Sequence, residues 1–234
     1  MKFYAISEKG RRKNNEDAYL AKKISSYYVF AVADGLGGHA AGEIASKIAV
    51  IELEETIKRF KGSPKEMLKK AIEKANEEVY LQSKEFADRK GMATTLVACI
   101  LDENGNGIIA NVGDSRAYLI NDEIWHTKDH SYVQELVDTG VITEDEAFNH
   151  PQKNIVSRAI GISREVEADF YSVSLGDKTL LLCSDGLHDY VRDERIREIV
   201  KNEDDLESAC KMLINEALKS GSTDNITIVL VRIV

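Results

Sequence analysis

Acidic residues recur in this sequence where apolar runs end. VFAVADG (29–35) delivers Asp34 and Gly35, TLLLCSDG (179–186) delivers Asp185, and GIIANVGD (107–114) delivers Asp114. Each run is short and rich in Val, Ile and Leu, the pattern of a buried strand, so each carries a carboxylate to the rim of an apolar core. A single Asp-Gly pair reads as a hairpin turn; the accumulation argues for more. Asn14-Asn15-Glu16-Asp17 sets two adjacent carboxylates before a short apolar stretch, and Ser222-Thr223-Asp224-Asn225 sets another before ITIVLVRIV. Carboxylates gathered at one rim repel each other unless cations lie between them. Ligands that are all oxygen suit Mg²⁺ or Mn²⁺.

Other hydrolytic chemistries lack their residues. A cysteine-nucleophile phosphatase needs an Arg shortly after its Cys, but six places after Cys99, Cys183 and Cys210 stand Gly105, Asp189 and Glu216. There is no Asp-x-Asp, no G-x-S-x-G elbow and no G-x-x-x-x-G-K-[ST] loop. A water activated by metal is then the natural nucleophile. The loop Gly35-Leu36-Gly37-Gly38-His39-Ala40 satisfies the dinucleotide fingerprint G-x-G-x-x-A. A dinucleotide-binding oxidoreductase is nevertheless disfavoured. Asp34 would repel a pyrophosphate, a second helix follows where a parallel strand should come, and Glu54 and Glu55 fall inside a helix. The glycines do permit close backbone approach, so the Gly35 carbonyl is a candidate ligand. His39, on the same loop, is a candidate general acid.

The elements that must position these groups read as strands at 2–7, 26–33, 92–101, 107–112, 116–120, 167–175 and 178–184. A helix over 42–60 has Val50, Leu53, Ile57 and Phe60 on one face. A second starts at the capping box Ser63-Pro64-Lys65-Glu66 with the stripe Leu68, Ile72, Ala75 and Val79. A last helix, capped by Asp204 with Glu207 three on, carries Leu206, Cys210, Leu213 and Ala217 and stops at Gly221. Strands in hairpin-like runs and helices in pairs favour an α+β fold with antiparallel sheets over a doubly wound one. Residues 129–161 hold short helical signals, 131–138 and a capping box at Thr143 with Glu146, but no long apolar stripe. Such an insert reads as a flap or as a solvated loop. The 234 residues read as one domain, 1–234, with no repeat or linker.

A net charge of −9 argues against binding nucleic acid through its phosphates. Three cysteines beside apolar residues suggest buried thiols in a reducing, cytoplasmic setting. The N-terminus lacks a signal-peptide core and no apolar stretch is long enough to span a bilayer.

In these motifs the chain resembles the metal-dependent protein phosphatase 2C (PPM) family, of the compact bacterial type. They run in family order: Arg12-Lys13-Asn14-Asn15-Glu16-Asp17, Val32-Ala33-Asp34-Gly35-Leu36-Gly37-Gly38-His39, Gly91-Met92-Ala93-Thr94-Thr95-Leu96, Asn111-Val112-Gly113-Asp114-Ser115-Arg116, the segment through Asn149-His150-Pro151, Cys183-Ser184-Asp185-Gly186-Leu187 and Thr223-Asp224-Asn225. Ala93, where the bacterial type usually has Gly, and a shorter step from Gly10 to Arg12 are the departures. The resemblance implies two packed antiparallel sheets flanked by helix pairs, a four-layer α-β-β-α fold. It implies hydrolysis of phosphoserine and phosphothreonine in protein substrates, a serine/threonine kinase among them. Asp34 would bridge two Mn²⁺ or Mg²⁺ ions, with Asp185 and Asp224 completing one site and the Gly35 carbonyl serving the other. Glu16 and Asp17 would reach metal waters, and Asp114 with Asp185 would hold a third, weaker ion. Arg12 would clamp the phosphate, and His39 would protonate the leaving oxygen. A phosphoprotein-binding pseudo-phosphatase is the alternative, and the full carboxylate set speaks against it.

Overall fold

The computed structural model describes residues 1–37 and 40–233. Among the described residues, twelve strands and seven α-helices follow one another as β1 Lys2–Glu8, β2 Ala18–Ile24, β3 Tyr27–Ala33, β4 Gly35–Leu36, α1 Ala40–Arg59, α2 Pro64–Glu85, β5 Ala93–Thr94, β6 Leu96–Leu101, β7 Asn106–Val112, β8 Arg116–Ile120, β9 Ile124–His126, α3 Tyr132–Asp138, α4 Glu144–Phe148, β10 Asp169–Ser174, β11 Thr179–Cys183, α5 Asp185–His188, α6 Asp193–Asn202, α7 Leu206–Lys219 and β12 Ile226–Arg232. One sheet has the order β1-β12-β11-β8-β9 and the other β10-β7-β6-β3-β2, every pairing antiparallel.

Strand β3 explains why its sequence is an unbroken apolar run. Val29, Ala31 and Ala33 pack toward α1 and α2, while Phe30 and Val32 face the other sheet. A strand covered on both faces has no polar side to alternate with. Strands β11 and β12 repeat this arrangement. Leu180, Leu182, Val229 and Val231 fill the space between the sheets, and Leu181, Cys183, Ile228 and Leu230 meet α6 and α7. The layers are therefore helix pair, sheet, sheet, helix pair, as expected from the resemblance. All three cysteines are buried free thiols.

Several boundaries differ from the expectation. The first helix runs Ala40–Arg59, so Phe60 lies beyond it and is 39% exposed. The run 92–101 breaks into β5 and β6, because Thr95 turns its hydroxyl to other work described below. Asp205, not Asp204, caps α7, its carboxylate accepting from Ser208 N at 2.8 Å. The Arg232 guanidinium donates to the carbonyls of Asp204, Glu203 and Val200, which ties up the turn and moves the helix start one residue on. Strand β2 escaped the reading because it is an edge strand with exposed Lys22 and Lys23.

Candidate active site

The strand registers bring the predicted acids to one end of the sandwich. Pairing of Ala18 with Ala33 sets Asp17, just before β2, beside Asp34, just after β3. Pairing of Cys183 with Ile228 sets Asp185 near Asp224. Strand β7 delivers Asp114 at the same end, since its Val112 pairs with Leu96 at the start of β6.

Backbone and hydroxyl contacts hold each acid. Thr95 N donates to Asp34 O at 2.9 Å, Thr94 Oγ1 donates to the same carbonyl at 2.8 Å, and Asp34 N donates to Thr95 Oγ1 at 2.9 Å. Asp34 is thus fixed through its main chain, which leaves its carboxylate to the cleft. Asp17 is buried and links the sheets: its Oδ2 accepts from Ser184 Oγ at 2.8 Å and from Thr227 Oγ1 at 2.6 Å. Asn225 clamps the loop before β2. Its Nδ2 donates to the carbonyls of Lys9 at 2.8 Å and Asn14 at 3.0 Å, and its Oδ1 accepts from Glu16 N at 2.8 Å. The same loop carries Arg12, whose guanidinium donates to Asp224 Oδ2 at 2.6 Å.

Glu16 and Gly35 meet at the start of α1. A Cβ on Gly42 would lie 2.1 Å from Glu16 Oε2 and 2.8 Å from the Gly35 carbonyl oxygen. Only glycine leaves room there, so a carboxylate oxygen and a carbonyl oxygen share one cradle.

The electrostatics of the cluster are those of excess negative charge. Burial, then the neighbouring Asp185, Asp17, Asp114 and Asp224, push the Asp34 carboxyl well above its ordinary range. Burial and Asp114, Asp189, Asp224 and Asp17 do the same to Asp185. Asp114 rises to about 7 through burial, with Asp129 and Asp189 adding to it. Asp17 rises to about 6, burial and the nearby acids outweighing its two hydroxyl donors. Asp17 Oδ1 and Asp185 Oδ1 are buried without a hydrogen-bond partner. Buried, unpaired and mutually repelling oxygens are the donor set a hard divalent cation needs. Among the described residues no three Asp, Glu, His or Cys side chains converge tightly enough to enclose an ion. The residues therefore fit ions whose shells are completed by water and carbonyl oxygen, as that of Mg²⁺ commonly is.

Beside the cleft, Arg116 forms a paired bridge to Asp129, both oxygens at 2.8 Å. His188 is buried, and its Nε2 donates to the Asp114 carbonyl at 3.0 Å. Burial holds its imidazole neutral, its pKa well below the ordinary value. Sequence reasoning gave no role to Thr227, His188 and Asp189, nor to Thr95 and Ser184, which it quoted only as members of motifs. A signal existed for Asp189 alone: it stands four residues after Asp185, one helical turn on. His39 lies outside the described residues. Gly35 and Leu36 form β4, which pairs with β5, and the next elements in the chain are the two consecutive helices α1 and α2, which is not the βαβ unit a dinucleotide site requires.

Comparison with known proteins gives the arrangement its class. The pattern of the protein phosphatase 2C family matches residues 7–224. The serine/threonine phosphatase stp of Listeria monocytogenes is 40% identical over 97% of this chain and 93% of its own length. The crystal structure of serine/threonine phosphatase Stp1 from Staphylococcus aureus superposes with a TM-score of 0.93 at 38% identity, covering 98% of this chain and 93% of that one. The catalytic domain of the serine/threonine protein phosphatase PstP, solved in complex with two manganese ions, gives 0.84 at 35% identity over 98% and 96%. The chain belongs to the protein phosphatase 2C family, whose catalysis depends on metal.

Proposed function

We propose that this protein hydrolyses phosphoserine and phosphothreonine in protein substrates, releasing inorganic phosphate and the free hydroxyl, at the acidic end of the sandwich. The observation that carries it is the set of buried carboxylate oxygens without donors, on Asp17 and Asp185, in a cluster whose members raise one another's pKa. Asp34, Asp185 and Asp224 would hold one Mn²⁺ or Mg²⁺ ion, and Asp34 with the Gly35 carbonyl a second. Glu16 and Asp17 would orient water around them, and Asp114 with Asp185 would take a third, weaker ion. Bound there, such ions acidify a water and withdraw charge from the phosphate oxygens.

The remaining work belongs to side chains. Arg12 is 58% exposed at its side chain and tethered by Asp224, so its fork of donors can turn to a phosphate arriving at the cleft mouth. His39 would donate the proton that the departing Ser or Thr oxygen requires. Asp17, through Ser184 and Thr227, keeps the ends of β2, β11 and β12 in fixed relation. Residues 1–234 would act as one catalytic domain, with 129–161 as a flap beside the cleft. No helix among the described residues is long and apolar enough to cross a membrane, and the three buried thiols support a reducing, cytoplasmic setting.

The test is phosphate release from a phosphothreonine peptide with Mn²⁺ or Mg²⁺ and with excess chelator. Release that stops with chelator and returns with metal is expected. Full turnover at nil metal content would overturn the mechanism.

A further inference from the structure

A cavity of about 460 Å³ lies beneath residues 131–153, between α3 and α4 on one side and the chain from α5 into α6 on the other. It shares Asp114 with the acidic cleft, so the two adjoin, and a substrate chain whose phosphate entered the cleft would lie within reach of the cavity. Seven carboxylates line it against three Arg or Lys side chains. Each of those three already has a carboxylate partner: Arg116 has Asp129, Lys153 has Asp189 and Arg192 has Asp145. The surplus includes Glu144 and Glu194, both exposed at the rim.

Two further observations point to a cationic occupant. His188, 2% exposed at its side chain, uses Nε2–H on the Asp114 carbonyl, and its Nδ1 has no hydrogen-bond partner. The nearest charged atom to that nitrogen is Asp189 Oδ1 at 3.5 Å, another acceptor. An acceptor pair in the wall calls for a donor. The ring of Phe148, also in the wall, already carries the Arg192 guanidinium at 4.1 Å and the Lys153 ammonium at 5.5 Å, so its face suits cations. An organic cation needs only donors, charge and an aromatic face.

We propose that this cavity receives the side chain of a lysine or arginine lying near the phosphoresidue in the substrate, making the protein selective for basic phosphorylation sites. The proposal rests on the phosphatase reading above. It is tested with phosphothreonine peptides identical except for one Arg or one Glu, moved through the positions on either side of the phosphothreonine. At one or two positions Arg should raise kcat/KM roughly tenfold over Glu, mainly through KM, the scale of one hydrogen bond to a charged group. The double variant Glu144→Gln, Glu194→Gln should lose most of that preference while hydrolysing a small aryl phosphate, which has no flanking chain, at the original rate. The ¹⁵N signals of the His188 ring should shift with the Arg peptide and not with inorganic phosphate. Equal constants at every position, or a preference that survives in the double variant, would overturn the proposal. If neither peptide nor aryl phosphate is hydrolysed, the phosphatase reading fails instead, and the ratio of peptide dissociation constants by fluorescence anisotropy still decides the cavity.

Discussion

Asp34 and Arg12 carry opposite charges into the same cleft, and their substitutions should separate cleanly. Asp34→Asn keeps the side-chain size and the three main-chain hydrogen bonds that fix the residue. It removes a charge that Asp185, Asp17, Asp114 and Asp224 all oppose. Turnover should fall by roughly a hundredfold or more, the scale of losing one preorganised charge at a reacting centre. Calorimetry should register weaker Mn²⁺ binding, and the metal-free melting temperature should not fall. A normal kcat at moderate metal would remove Asp34 from the centre. Arg12→Ala should raise KM for phosphopeptides, because the phosphate loses its fork of donors. Arg12 is bonded to Asp224 at 2.6 Å, so its loss frees that carboxylate, and Mn²⁺ affinity should hold or tighten. A large loss of metal affinity at unchanged KM would give Arg12 a structural role instead.

Among the elements, the segment 129–161 depends on a few anchors. At its exit Asn76 of α2, 1% exposed, accepts from Gly161 N at 2.8 Å and donates to the carbonyls of Ser163 at 3.0 Å and Arg164 at 3.1 Å. Asn76→Ala would strand three polar backbone groups, of which the N–H belongs to the buried Gly161. The cost should be about 2–4 kcal/mol, read as a melting temperature lower by roughly 5–10 °C for a chain of this size. An unchanged melting temperature would mean that the segment holds its place without α2. Nothing in the sequence distinguishes Asn76 from any other polar residue on a helix, since its partners lie 85 to 88 residues away. The same limit explains Thr227 and Ser184, whose hydroxyls matter only once Asp17 is folded against them. The acids were legible because each ends or precedes an apolar run, and β3, β11 and β12 were legible because both faces are covered. The capping boxes at Ser63 and Thr143 formed as read, being local. The cap of α7 moved from Asp204 to Asp205 because Arg232, distant in sequence, claimed the intervening carbonyls.

For the whole molecule, the acidic cluster links stability to pH and to metal. Asp17, Asp34, Asp114 and Asp185 all have raised pKa values, two of them at about 6 and about 7, chiefly through burial. The folded metal-free protein therefore holds protons that the unfolded chain has already lost. In that window stability falls as pH rises, because the native state binds more protons than the unfolded one. Asp129 works the other way. Burial alone would raise it, but the Arg116 guanidinium outweighs burial and lowers it. Its contribution is present above the ordinary carboxylate range and is lost only as pH falls below it. The chelated protein should then melt higher at pH 5.5 than at pH 8, a choice of conditions set by the window between about 4 and about 7. Mn²⁺ favours the ionised carboxylates, so at saturation it should flatten or reverse this dependence. At pH 8 and a hundredfold excess over its dissociation constant it should add about 2.7 kcal/mol. Thermal melts across pH, with chelator and with Mn²⁺, check both signs at once. A chelated protein whose melting temperature rises steadily from pH 5.5 to pH 8, with no gain from Mn²⁺, would mean that the cluster is compensated by the protein itself.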